Sequence, residues 1–172
     1  MFRIRQINKD ILLGILELEA YSNEMGLQSK RDQEQAGVNY LLAKMLNNDS
    51  VKIVYTAERK PMLRDSPGHI SISHSHSKLA IIYNRRCNTG VDIELVREKV
   101  KSVEHKFLNQ HESLMAEGKT QLLITLWAAK ETLYKLYGKR GVDFRQHLFI
   151  DQINESTMQA RIEIGDYKKK YE

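Results

Sequence analysis

The sequence predicts an α+β fold, and three observations support this prediction. Apolar and polar residues alternate in several short segments, as strands with one buried face require. Apolar residues recur at three- and four-residue spacing in other segments, as amphipathic helices require. The order strand, helix, helix, strands occurs twice, which predicts two halves, residues 1–88 and 89–172, that form one compact unit.

The first half is predicted to begin with a strand over residues 2–7, followed by a helix that Asp10 caps and that ends near Tyr21. Ser29 is the predicted cap of a second helix, which ends near Leu46. A strand rich in β-branched and aromatic residues is predicted over residues 51–56, and two further strands are predicted over residues 70–74 and 78–83.

The second half is predicted to begin with a strand over residues 90–94 and to continue with an interrupted helical pattern over residues 100–118. The strongest helix follows over residues 119–137 and ends at Gly138, because glycine readily adopts the left-handed conformation found at helix ends. The lysine run at residues 168–170 is predicted to be a solvated terminus. A hairpin is predicted over residues 148–153 and 157–164.

Composition and charge restrict the class of protein. Hydrophobic residues make up 41% of the 172 residues and charged residues 28%, as in ordinary globular proteins. The apolar runs are too short to cross a bilayer, and the first residues lack the features of a signal peptide. A lone cysteine, Cys87, fits a reducing compartment, so we expect a cytoplasmic protein without membrane contacts. The net charge of +5 favours an anionic partner: nucleic acid, a phosphorylated small molecule or an acidic protein.

Two carboxylates stand two residues apart at Asp92 and Glu94. On a strand they would project from one face, while Val91, Ile93 and Leu95 would face the core. Oxygen ligands of this kind suit a hard ion such as Mg²⁺. A strand with a polar, solvated face accounts equally for the pattern when it is taken alone.

The predicted helix over residues 119–137 has a lysine, Lys130, within its apolar arc. A core-facing lysine is costly unless its ammonium meets an anion or reaches solvent. Glu131 and Lys135 lie together at the edge of the arc, where an ordinary surface ion pair would contribute only about 0.2–0.5 kcal/mol. The position of Lys130 favours a functional site over that simpler interpretation.

A third segment alternates serines with isoleucines from Ile70 and ends with His74. An imidazole at the end of a strand can donate a hydrogen bond to a phosphate, and the hydroxyl of Ser73 could add another. A polar strand end is the simpler interpretation. The spacing of His69, His74, His76 and Cys87 matches no compact zinc site, which excludes zinc. Together the three segments predict a metal-bridged pyrophosphate site.

At these residues the sequence resembles the 4′-phosphopantetheinyl transferase superfamily. The family pattern G-[VI]-D-x-E corresponds to residues 90–94, and W-x-x-K-E-[AS]-x-x-K corresponds to residues 127–135, with Thr132 at the small-residue position. Residues 71–75 resemble the family's S-x-S-H-S segment, and Lys60 with the following proline resembles its G-K-P, with Arg59 in place of the glycine. Residues 107–112 resemble its F-[FL]-x-x-x-E stretch.

The resemblance to the larger, monomeric type of this family implies a pseudo-two-fold fold of two similar α+β halves, with coenzyme A in the cleft between them. The implied reaction is Mg²⁺-dependent transfer of the phosphopantetheine arm from coenzyme A to a serine of an apo acyl or peptidyl carrier protein, as in fatty acid biosynthesis. The second product is 3′,5′-ADP. The partners implied are therefore a carrier protein and coenzyme A, and no nucleic acid.

The resemblance also implies roles for individual residues. The implied Mg²⁺ ligands are Asp92, Glu94 and Glu131. Glu131 would also help to deprotonate the carrier serine, and Lys135 would stabilise or protonate the departing phosphate. The implied coenzyme A contacts are Lys60, Ser73, His74 and Lys130, with Lys30 or Arg31 at the 3′-phosphate.

Two other functions fit parts of the pattern. Metal-dependent nucleases combine Asp, Glu and Lys around Mg²⁺, although they usually place the lysine two residues after the second acid, where Val96 stands here. A non-catalytic module that binds coenzyme A or a carrier protein is the other alternative, but it would not need all three carboxylates.

Overall fold

The computed structural model describes residues 1–172 and divides the chain into a first unit, Met1–Ile93, and a second unit, Glu94–Glu172. Helices and strands occur in both units, so the predicted mixed α+β class is confirmed. The similarity of two halves, their boundary at residue 88 and their pseudo-two-fold relation stay predictions. No helix has both the length and the apolar character needed to span a membrane.

The first unit consists of a four-stranded antiparallel sheet, a separate two-stranded hairpin and two helices. The strand order in the sheet is β1-β2-β6-β5, and β3 pairs with β4 in the hairpin. Its elements are β1 (Phe2–Asn8), β2 (Ile11–Glu17), α1 (Leu18–Glu24), α2 (Lys30–Leu46), β3 (Lys52–Tyr55), β4 (Pro61–Arg64), β5 (His69–Ser75) and β6 (Lys78–Asn84).

The helix predicted from Asp10 is wrong, because this segment forms strand β2 and helix α1 begins only at Leu18. An apolar run fits both periodicities when it is short, and here pairing with β1 and β6 selects the strand. Gly14 and Leu16 of β2 are buried against α2 and the sheet. Asp10 lies in the preceding turn, where its backbone N–H donates to Asn8 Oδ1.

Helix α2 covers the sheet of the first unit and begins where the sequence predicts. The Ser29 hydroxyl accepts a hydrogen bond from the backbone N–H of Asp32, which is the predicted cap. Leu41 and Leu42 on α2 are fully buried, as are Leu79 and Ile81 on β6. Burial of this apolar layer stabilises the unit and holds β5, which carries the serines and His74, against β6.

The second unit consists of a three-stranded antiparallel sheet in the order β7-β8-β9, three helices and two short 3₁₀ turns. The 3₁₀ turns are Glu98–Ser102 and Glu104–Lys106, and the longer elements are α3 (Gln110–Ala116), α4 (Thr120–Tyr137), α5 (Phe144–His147), β7 (Leu148–Ile153), β8 (Met158–Ile164) and β9 (Tyr167–Tyr171).

The predicted helix over residues 119–137 and the hairpin of β7 and β8 are confirmed. Gly138 ends α4 with a φ of 71°, as the sequence predicts. The lysines at residues 168–170 are exposed, as predicted, but they do not form a loose terminus, because they lie on β9, which pairs with β8. Exposed lysines on an edge strand discourage pairing with further chains, which explains how a charged run can be a strand.

The strand predicted over residues 90–94 is also wrong, since residues 89–97 belong to no strand or helix. Leu95 does not face the core, because its side chain is about half exposed (49%). The segment around Asp92 is nevertheless held in place, by side-chain contacts that take the role of a strand ladder.

Candidate functional site

Two serines of β5 hold the segment that carries Asp92. The Ser71 hydroxyl accepts a hydrogen bond from the Val91 backbone N–H at 3.2 Å, and the Ser73 hydroxyl accepts one from the Ile93 backbone N–H at 3.4 Å. The spacing of two residues on both sides is that of extended chains. Because hydroxyls replace backbone carbonyls as acceptors, the segment runs beside β5 without forming a strand.

Ser73 also orients the Asp92 carboxylate. Its hydroxyl donates to Asp92 Oδ1 at 2.7 Å, while Ser73 Oγ itself accepts from the Ile93 N–H. Ser73 is buried, with 6% of its surface exposed. The side chain of Ser73 thus holds Asp92 and its neighbour, and its predicted contact with coenzyme A stays a prediction.

The Glu94 carboxylate is oriented by a residue of α4. The indole Nε1–H of Trp127 donates to Glu94 Oε1 at 3.0 Å. Glu94 itself is exposed. Both carboxylates of the D-x-E motif therefore have a hydrogen-bond donor that fixes their orientation, as outer partners of metal ligands commonly do.

Lys130 is fully buried within the second unit, and its contact with coenzyme A stays a prediction. Its Nζ donates to the backbone oxygens of Phe107 at 2.7 Å and Phe144 at 2.8 Å, and it forms an ion pair with Glu112 at 2.6 Å. An ammonium has three donors, and these three partners use them. Burial lowers the pKa of Lys130, and the Glu112 carboxylate opposes that shift.

Glu112 is the residue whose role the sequence analysis missed. It belongs to the capping box of α3, in which Asn109 and Glu112 each accept a hydrogen bond from the backbone N–H of the other. Its Oε1 also accepts the Ile150 N–H at 2.9 Å. The signal was available as the N-x-x-E pattern of a capping box, but that pattern does not reveal the distant lysine.

Glu131 lines an open pocket of about 740 Å³ in the second unit. Four of its ten lining residues are aromatic, and among them Trp127 is flanked by Phe107, at 5.1 Å between ring centroids, and by Phe144, at 5.7 Å. The remaining lining residues are Val103, Lys106, Tyr134, Gly141, Val142 and Asp143. Lys135 lies one helical turn beyond Glu131 on α4.

A second pocket, of about 300 Å³, lies in the first unit and brings together two of the predicted coenzyme A contacts, Arg31 and His74. His74 Nε2 lies 3.1 Å from Glu34 Oε1, and the predicted contact Lys30 is paired with the same carboxylate at 3.7 Å. Arg59 also lines this pocket. The pocket therefore combines two arginines and a histidine with one carboxylate.

The hairpin loop between β3 and β4 positions Arg59 and Lys60. Arg59 has a φ of 67°, a left-handed conformation that favours glycine, the residue usual there in the resembling family. The Thr56 hydroxyl accepts from the Lys60 backbone N–H, and the Lys60 ammonium donates to Asn88 Oδ1 at 2.5 Å. Burial lowers the pKa of Lys60.

The structure contains no group of three or more His, Cys, Asp or Glu side chains arranged to hold a metal ion. The ligand set Asp92, Glu94 and Glu131 therefore stays a prediction. Its chemistry suits Mg²⁺, because all three side chains offer carboxylate oxygens.

Comparison with known families identifies the second half of the chain. Residues 88–172 match the family model of the 4′-phosphopantetheinyl transferase superfamily. No curated protein matches the chain. The matched residues include both motifs, from Asp92 to Lys135. The protein therefore carries, over residues 88–172, a domain of the 4′-phosphopantetheinyl transferase superfamily, a family of transferases.

Proposed function

We propose that the protein transfers the 4′-phosphopantetheine arm of coenzyme A to a serine of an apo acyl or peptidyl carrier protein in an Mg²⁺-dependent reaction. The observation that carries this proposal is the pair of hydrogen bonds, from Ser73 to Asp92 and from Trp127 to Glu94, that orient both carboxylates of the family motif. A solvated polar face would not need such buried or aromatic donors. Metal ligands do need them, because their oxygens must be held in place.

The proposed Mg²⁺ ligands are Asp92, Glu94 and Glu131. When bound, Mg²⁺ would neutralise charge on the pyrophosphate of coenzyme A. The oxygen-only donor set is the reason for proposing Mg²⁺ over a softer ion.

Glu131 is the proposed proton acceptor, directly or through one water, for the carrier serine hydroxyl. The serine oxygen then forms a bond to the β-phosphorus of coenzyme A, and the bond from that phosphorus to the bridging oxygen breaks. Lys135, one turn further along α4, would stabilise or protonate the departing 3′,5′-ADP. The aromatic walls beside Glu131 suit the uncharged pantetheine arm.

The pocket of the first unit is the proposed site for the phosphates of the nucleotide. Arg31, Arg59 and His74 offer charged or polar donors there, and Tyr55 and Pro61 offer apolar surface for a base. Lys60 and Lys30 are further proposed contacts. The excess of basic residues favours an acidic carrier protein, and we propose that the protein acts as a monomer in the cytoplasm, in fatty acid biosynthesis or a related pathway.

The experiment that tests the proposal is intact-mass spectrometry of an apo acyl carrier protein incubated with this protein, coenzyme A and Mg²⁺. We expect a mass gain of one phosphopantetheine arm that a chelator abolishes. Asp92→Asn and Glu131→Gln should abolish the gain while leaving the fold intact, and Glu155→Gln, at an exposed loop position, is the matched control.

Two outcomes would contradict the proposal. Coenzyme A binding without any mass gain on several carriers would favour a non-catalytic module. If the protein neither binds coenzyme A nor increases the mass of a carrier, and if it cleaves nucleic acid, the nuclease alternative is favoured.

A further inference from the structure

Lys130, which forms a buried ion pair with Glu112, also contacts the backbone of two aromatic residues of the second unit. The two backbone oxygens that accept from Lys130 belong to Phe107 and Phe144, and these are the two residues whose rings flank Trp127. One ammonium therefore holds both neighbours of the indole. Lys130 and Trp127 themselves stand three residues apart on α4, where side chains share a face.

A purely stabilising role does not account for this arrangement. Buried ion pairs are often no more stabilising than well-packed apolar side chains of the same volume, because both charges lose their hydration. Breaking one partner is costly, but the intact pair is not a general source of stability. The buried ammonium does, however, fix the positions of two backbone carbonyls, because both accept hydrogen bonds from one nitrogen, at 2.7 and 2.8 Å.

Trp127 connects this hydrogen-bonded arrangement to the candidate site. Its Nε1–H donates to Glu94 Oε1, so a displacement of the indole changes the orientation of that carboxylate. We propose that Lys130, neutralised by Glu112, is a positioning residue that fixes Phe107 and Phe144 around Trp127 and thereby orients Glu94. The part of this inference that concerns a metal ion rests on the proposed function, whereas the part that concerns Trp127 does not.

The test uses a double variant, Glu112→Leu with Lys130→Met, which removes both buried charges and keeps an apolar filling. It is compared with Glu117→Gln with Lys119→Met, an exposed ion pair of the second unit with the same 2.6 Å separation. Thermal unfolding establishes that each variant is folded. Trp127 is the only tryptophan of the chain, so its indole ¹H–¹⁵N resonance reports on this site alone.

We expect the folded double variant to show a shifted or broadened indole resonance and stronger quenching of tryptophan fluorescence by acrylamide. Binding of Mn²⁺ in the presence of coenzyme A, followed by the electron paramagnetic resonance of the free ion, should weaken by roughly 10- to 100-fold, as for other losses of outer partners. Trp127→Phe should weaken Mn²⁺ binding to the same extent, because it removes the N–H and keeps an aromatic ring. The exposed control pair should change neither quantity.

A folded double variant with the wild-type indole resonance and wild-type Mn²⁺ affinity would overturn the inference and leave the pair as packing alone. If the double variant does not fold, Lys130→Arg decides. A guanidinium keeps the charge but cannot direct single N–H groups at the same points, so an unchanged indole resonance in that variant would equally overturn the inference. If wild-type protein binds no Mn²⁺, the proposed metal site fails and the indole shift alone decides the role of Lys130.

Discussion

The hydroxyl of Ser73 donates a 2.7 Å hydrogen bond to Asp92 Oδ1 and accepts the backbone N–H of the next residue, Ile93. One buried hydroxyl thus fixes both the main chain and the carboxylate of the D-x-E motif. Ser71 lies two residues earlier on β5. Its described hydrogen bond is with the main chain alone: its hydroxyl accepts the Val91 backbone N–H. The pair provides a matched comparison.

Ser73→Ala should reduce transfer more than Ser71→Ala does. Each substitution removes an acceptor from a backbone N–H, at a cost of about 1 kcal/mol in the free energy of unfolding. Only Ser73→Ala also frees the Asp92 carboxylate, so the Mg²⁺ concentration for half-maximal transfer should rise by roughly 10- to 100-fold. A titration of activity with Mg²⁺ measures this, and equal midpoints for the two variants would contradict the role given to Ser73.

Arg59→Gly should weaken the binding of coenzyme A without lowering the stability of the fold. Glycine relieves a left-handed conformation that costs a residue with a Cβ about 1 kcal/mol, so the melting temperature should stay the same or rise. Loss of the guanidinium from the pocket of the first unit should raise the KM for coenzyme A by about 2- to 10-fold, the equivalent of one hydrogen bond.

Arg59→Ala is the control for that experiment. It removes the same charge and keeps the Cβ, so its KM should match that of Arg59→Gly while its melting temperature is lower. An unchanged KM in both variants would remove Arg59 from the proposed binding site.

His74→Ala should raise the KM for coenzyme A by roughly 2- to 10-fold and leave much of kcat, because its proposed role is one polar contact to a phosphate. His69→Ala is the control, since His69 lies on the same strand, is exposed and lines no described pocket. Steady-state kinetics with varied coenzyme A measures both. A loss confined to kcat would contradict a binding role for His74.

The stabilising contribution of protonated Tyr171 should be lost at alkaline pH. Burial raises the pKa of Tyr171, and its hydrogen bond with Tyr167 raises it further. The folded state therefore retains the proton after the unfolded chain, with a pKa of about 10, has lost it. The stabilising contribution is complete below pH 10 and is lost progressively as the pH rises from there towards the folded-state pKa.

Urea unfolding from pH 8.5 to pH 11 measures this effect. Tyr171→Phe should show a smaller decline in the free energy of unfolding over that range than wild type does. Tyr55→Phe, at an exposed position of β3, should decline as wild type does. A parallel decline in wild type and Tyr171→Phe would contradict the assignment.

Elements with local signals could be predicted from the sequence. Helix α2 begins at Ser29 because a hydroxyl beside free backbone N–H groups is sufficient to cap a helix. Helix α4 ends at Gly138 for an equally local reason. The motif residues were recognised for the same reason, since their identity and spacing lie within short stretches of chain. Helix α1 was predicted too early, because the apolar run in β2 fits a helix until its sheet neighbours are known.

The chemistry available to this protein was determined by the sequence itself: the carboxylates of Asp92, Glu94 and Glu131 and the family to which residues 88–172 belong. Only the tertiary structure decided what Ser73 and Lys130 do. Both are buried against partners from other elements, Asp92 for one and Glu112 for the other. A buried polar group must find its partner inside the fold, and which partner it finds depends on packing between segments that are far apart in the chain.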